Sequence, residues 1–183
     1  MFRLCRRLTF VLIACVQLQV VQNEKIVKLL AITCECVQPK TLNITVCTLK
    51  QMPHDMAEVS VAVTLLQRPI NNASLSALLI KRGYEDRAPM VDYTIDGCAF
   101  FRKKHRNFLA TFAYKAMGLD KYSNLNHSCP YDHDILVDRY AFNGRAIGKI
   151  IPFGNGEFTF VTKWLAYNDL KAIVKIRFIV FDR

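Results

Sequence analysis

The sequence predicts a mainly β chain, an antiparallel sandwich or barrel of about eight strands interrupted by one short helix. Three observations predict it. Apolar and polar residues alternate over most of the chain, Asn-Gly turn signals separate the apolar runs, and one stretch keeps a helical period instead.

Residues 57–67, AEVSVAVTLLQ, place Val59, Val61, Val63 and Leu65 on one side and Glu58, Ser60 and Thr64 on the other. That is the pattern of a half-buried antiparallel strand. In GEFTFVTKWLAY (156–167), Phe158, Phe160, Trp164 and Ala166 share a face; in KAIVKIRFIVF (171–181), Val174, Ile176, Phe178 and Val180 oppose Lys175 and Arg177. These two runs predict a hairpin around Asn168-Asp169. Further strands are expected near 26–37, 43–50, 74–82, 89–97 and 135–142, with tight turns at Asn143-Gly144 and Asn155-Gly156. The helix is NFLATFAYKAMG (107–118). Phe108, Leu109, Phe112, Ala116 and Met117 recur at helical spacing, Asn107 can cap the start and Gly118 the end. Its apolar face is expected to lie against a sheet edge or over an open end of the sandwich.

Residues 1–22 carry Arg3, Arg6 and Arg7 followed by an apolar run from Leu8 to Val16, the layout of a secretory signal peptide. The run meets Gln17 and Gln19 too soon for a spanning helix. Cleavage is expected between Ala14 and Asn23, leaving one domain over 23–183 with a helical insertion at about 99–118, secreted and with no membrane span. Without the three leader arginines the formal charge falls from +10 to +7. The densest basic segment is RKKHR, with Arg102, Lys103, Lys104 and Arg106. Such a cluster attracts anionic lipid heads, glycosaminoglycans or nucleic acid, although a solvated loop is its more ordinary role. Secretion argues against nucleic acid.

Export also sets the chemistry of the cysteines. Cys5 and Cys15 leave with the leader, and Cys34, Cys36, Cys47, Cys98 and Cys129 remain in an oxidising environment. Cys34 and Cys47 end two neighbouring strand-like runs joined by VQPKTL, so a hairpin could bring them together. Cys98 closes another strand and Cys129 opens the next after the helix, an arrangement for a second bridge that ties the insertion shut. Cys36 shares a strand face with Cys34 and could replace it or stay free. Three sequons, at Asn43, Asn72 and Asn126, fit the same route.

The segment NLNHSCPYDHD (124–134) gathers His127, Cys129 and His133 in the manner of a metal site. Zinc needs a deprotonated thiolate and several converging ligands, and a cysteine consumed by a disulfide supplies neither a ligand nor a nucleophile. The segment is expected to anchor a loop, and no metal, cofactor or catalytic residue is assigned; the chain does not read as an enzyme.

The segments DYTIDGCAFF (92–101), SNLNHSCPYDHDILVD (123–138), IPFGNGEFTF (151–160) and WLAY (164–167) together resemble an insect family of small secreted proteins of unknown function. That family is similar to the chemosensory B proteins and, more distantly, to the ML lipid-recognition superfamily that includes the ganglioside-activator protein. The resemblance implies an immunoglobulin-like β-sandwich, without catalysis, whose sheets splay to hold a lipid or other apolar ligand. It matches Cys34, Cys47, Cys98 and Cys129 to the family's cysteines, favours pairing Cys98 with Cys129, and leaves Cys36 as an addition. Ala99 replaces a common lysine and Phe108 a common proline, so helix entry is expected to differ. With the inward aromatic content, the resemblance nominates Val61, Val63, Phe158, Phe160, Trp164, Ile176 and Phe178 as a pocket for a fatty acid, sterol or hydrocarbon, in a carrier that could serve chemosensation. The alternative is an extracellular module in which segment 102–106 binds a protein or a sulfated glycan.

Overall fold

The computed structural model describes residues 23–103 and 107–183. The expected leader (1–22) and Lys104, His105 and Arg106 lie outside them. Alternation of apolar side chains produces eight strands among the described residues: β1 (Lys25–Cys36), β2 (Leu42–Met52), β3 (Met56–Leu65), β4 (Ala73–Lys81), β5 (Val91–Asp96), β6 (Ile135–Asn143), β7 (Gly156–Ala166) and β8 (Asp169–Asp182). Four short helices join them: α1 (Gly97–Arg102), α2 (Phe108–Ala116) and α3 (Leu119–Tyr122) between β5 and β6, and α4 (Gly144–Gly148) after β6. No described helix is long and apolar enough to cross a membrane.

The strands form two antiparallel sheets, ordered β1-β8-β7-β4-β5 and β2-β3-β6. Each presents one apolar face to the other. The main core draws Val27, Leu29, Leu79, Phe158, Phe178 and Val180 from the first sheet and Ala57, Val59 and Phe142 from the second. Phe158 stacks on Phe178 with ring centroids 5.5 Å apart, and Phe153 closes on Phe158 at 5.0 Å. A smaller cluster of Leu42, Leu65, Leu125, Tyr131 and Ala172 fills the end near the helical insertion.

The β7–β8 hairpin turns on Tyr167 and Asn168, with φ of 56° and 64°, between the paired Ala166 and Asp169. Positive φ at both central residues matches the right-handed strand twist. Several local expectations differ from what the chain does: the insertion holds three described helices instead of one, and Asn155-Gly156 is a bend leading into β7 instead of a tight hairpin turn. Strands β1 and β2 do not form a hairpin: β1 pairs with β8 and β2 with β3, so the VQPKTL segment crosses from one sheet to the other. The Asn143-Gly144 pair does not make a tight turn either. Asn143 Oδ1 accepts from the Arg145 and Ala146 amides and so caps α4. That helix lies on β1 so closely that a Cβ at Gly144 or Gly148 would collide with the Val27 or Lys25 carbonyl.

Both expected disulfides are present, and both are long-range ties. Cys34–Cys47, with Cα atoms 6.1 Å apart, links the two sheets, and Cys98–Cys129, at 5.0 Å, closes the helical insertion. Cys36 is unbridged, and its thiol donates to the Leu42 carbonyl at 3.3 Å.

Candidate ligand site

Side chains two apart on a strand share a face. Phe160 therefore points the way buried Phe158 does, and its cross-strand partner Ile176 the way Phe178 does. The same rule turns Val61 and Val63 inward from β3, beside Val59 and Leu65. Of the seven residues nominated from sequence, Phe158 and Phe178 lie in the main core, Val61, Phe160 and Ile176 pack half-buried against it, and Val63 and Trp164 pack against the smaller cluster. The Trp164 indole donates to Thr162 Oγ1 at 3.0 Å. The structure thus spreads these residues along the interior as a belt between the two clusters.

A cleft of about 240 Å³ opens at the β2–β3 turn, over the main core against which Val61, Phe160 and Ile176 pack. Leu29, Ala57 and Phe142 form its floor and belong to the main core; Lys28, His54 and Asp55 form its rim. Met52 and Met56 flank the turn. Two features shape the opening. β1 shifts register between Leu29 and Ala31, and the turn carries positive φ at both His54 and Asp55. Gln51 Nε2 donates to the Leu29 carbonyl at 2.7 Å, fastening β2 to β1 across the sheets. Asp55 Oδ2 accepts from Arg145 Nε at 3.0 Å and Arg183 Nη1 at 3.3 Å, so its charge is balanced within the protein. Lys28 adds a cation to the rim. An apolar floor below a polar, partly cationic rim can accept an amphipathic molecule with its apolar end inward.

Sequence reasoning missed this cleft. Inward alternation marks Ala57 and Phe142, but the opening itself depends on the β1 bulge and on β2 crossing to the other sheet, which strand patterning does not reveal.

The segment 124–134 behaves as a buckle. Cys129 is bridged, Ser128 Oγ donates to the Cys98 carbonyl at 2.8 Å, and Tyr131 exchanges backbone hydrogen bonds with Ile70. Asn124 accepts from the Leu136 amide and donates to the Asp134 carbonyl, fixing the start of β6. His127 and His133 face each other with Nε2 atoms 2.7 Å apart, and their Nδ1 atoms lie beside the Ser128 and Asp134 carbonyls. Among the described residues no three His, Cys, Asp or Glu side chains converge as metal ligands. Of the basic segment, Arg102 and Lys103 are exposed, while Lys104 and Arg106 lie outside the described residues. Asn43, Asn72 and Asn126 are all exposed.

No curated protein matches the chain in sequence. Among solved structures, chicken MD-1 complexed with lipid IVa is 12% identical, with 85% of this chain and 96% of that one covered and a TM-score of 0.37. A Niemann-Pick type C2 protein from the Japanese carpenter ant is also 12% identical, covering 86% and 93%, with a TM-score of 0.35. A family model described as protein of unknown function (DUF1091) matches residues 75–160, from β4 into β7.

Proposed function

We propose that the protein is a non-enzymatic carrier or presenter of a lipid or another small hydrophobic molecule held between its sheets. The observation that supports this reading is the half-buried inner belt of Val61, Val63, Phe160, Trp164 and Ile176. Apolar surface left wet costs about 25 cal/mol per Å², and an apolar ligand placed there removes that cost. The cleft at the β2–β3 turn supplies an entrance. At about 240 Å³ it is smaller than the roughly 300–1,000 Å³ of drug-sized ligand sites, so uptake requires the sheets to part there. The flexible side chains of Met52 and Met56 can yield to such a movement.

Displacement of a fluorescent fatty acid, together with native mass spectrometry of the secreted protein, tests the reading. We expect one ligand per chain, weaker uptake in Val61→Trp, and thermal stabilisation on loading. Failure to take up any fatty acid, sterol or hydrocarbon would defeat it.

The two disulfides support folding in an oxidising compartment. The finer reading adds a cleaved leader, secretion, glycans on the exposed Asn43, Asn72 and Asn126, and, from the resemblance to the chemosensory B proteins, a place in chemosensation. The N-terminus of the mature protein and its mobility after glycosidase treatment check the first three. A second reading, an extracellular module that binds a protein or sulfated glycan through segment 102–106, is favoured by the exposure of Arg102 and Lys103. It predicts salt-sensitive retention on heparin.

A further inference from the structure

Helix α2 turns its largest apolar side chains away from the protein. Residues three and four apart on a helix share a face. In α2 the inward face carries buried Ala110 and half-buried Tyr114, whose hydroxyl donates to the Leu125 carbonyl at 2.7 Å and whose ring meets Phe100 and Phe101. Phe108 and Phe112 lie on the opposite face, 78% and 47% exposed. Tyr93, 40% exposed on edge strand β5, extends this apolar surface, because Asn107 Nδ2 donates to its hydroxyl at the helix start. Two exposed phenylalanines on successive turns, with an aromatic neighbour, form a patch of the kind that another apolar phase covers.

The charges around the patch indicate which phase. Lys115 is exposed and follows Phe112 by three residues, in the same row of the helix; Arg102, the last residue of α1, and Lys103, its C-cap, are also exposed and precede Phe108 in the sequence. Among nearby acids, Asp96 is engaged by the Ala99 amide at the start of α1, and Asp92 and Asp120 sit on β5 and α3. The formal charge of +10 falls to +7 without the leader arginines, and the chain stays basic. Exposed aromatics beside cations are the composition of an interfacial helix. Anionic headgroups attract each cation near the surface.

We propose that α2 docks the protein on an anionic phospholipid surface, with Phe108 and Phe112 entering the headgroup–acyl boundary and Lys115, Lys103 and Arg102 lying among the phosphates. This goes beyond ligand carriage, since it requires no cavity and survives if the interior takes up nothing.

The test is sedimentation with vesicles of phosphatidylcholine, with and without phosphatidylserine. The wild-type chain should bind the mixed vesicles, and binding should weaken with salt. Each of F108S and F112S should reduce partitioning roughly tenfold, and K115E should reduce it selectively on anionic vesicles. Because these side chains are exposed, the melting temperature and fluorescent-lipid displacement in solution should stay unchanged, which separates this proposal from the carrier reading. Undiminished vesicle binding by the F108S/F112S double variant would overturn it. So would a concentration-dependent dimer that the same double variant abolishes, because the patch would then belong to a second copy.

Discussion

Phe158 and Phe108 show how far one residue type can diverge in role. Phe158 is 1% exposed, stacks on Phe178 and meets Phe153 at a tilt, in a cluster of three rings. Phe158→Ala should therefore cost about 3–5 kcal/mol in urea unfolding, whereas Phe108→Ala should stay within about 0.5 kcal/mol. Three tyrosines donate to backbone carbonyls, Tyr114 to Leu125 and Tyr140 to Ala116 across the helical insertion and Tyr131 to His127 within segment 124–134. Burial pushes the Tyr131 and Tyr140 phenols up to about 12, with Tyr114 adding to the first and Tyr122 to the second. Burial, and then Asp120, also raises Tyr114. A raised acid keeps its proton in the fold at a pH where the unfolded chain has already lost it. Stability from these groups is thus fully present below about pH 10 and falls as pH rises toward about 12. Titration of tyrosinate absorbance beside alkaline unfolding should show the two changes together, and full ionisation of all seven tyrosines near pH 10 without unfolding would contradict it.

Among the elements, α2 and α4 owe their positions to different physics. Helix α2 has the predicted start: Asn107 Oδ1 accepts from the Ala110 amide at 3.0 Å, and Gly118 follows its end with φ of 64°. The stripe of Phe108 and Phe112 was legible as a face, but the expectation that it lies against the sandwich is overturned, since both side chains are exposed. Periodicity reports which residues lie together; the contacts of Ala110 and Tyr114 decide which side turns inward. Of the rest of that stripe, Ala116 and Met117 are half-buried, and the side chain of Leu109 lies outside the described residues. Helix α4 is held by close approach to β1 through two glycines. Gly148→Ala should displace it and cost about 1–3 kcal/mol, with increased hydrogen exchange at Ile26 and Val27 as the local readout.

For the whole molecule, the bridges secure two kinds of junction. Cys34–Cys47 ties sheet to sheet across a sequence separation of 13, and Cys98–Cys129 closes a span of 31 that holds α2 and α3. Replacing either pair with alanine should cost about 2–4 kcal/mol in chemical denaturation, and only loss of the second should expose residues 99–128 to rapid proteolysis. The eight strands and helix α2 were readable from sequence because alternation and helical period record local geometry, whereas the Cys34–Cys47 pair was expected from a hairpin that the chain does not form. The candidate site was partly readable: the inward row of Val61, Phe160 and Ile176 follows from period two, but the cleft over Leu29 does not. What the sequence by itself determined is which residues face together and which sulfurs lie near strand ends. Tertiary structure alone decided that β1 and β2 belong to different sheets, where the interior meets solvent, and that Phe108 and Phe112 face outward. Those outcomes depend on contacts between segments distant in the chain, and the energy of such contacts has no period in any single segment.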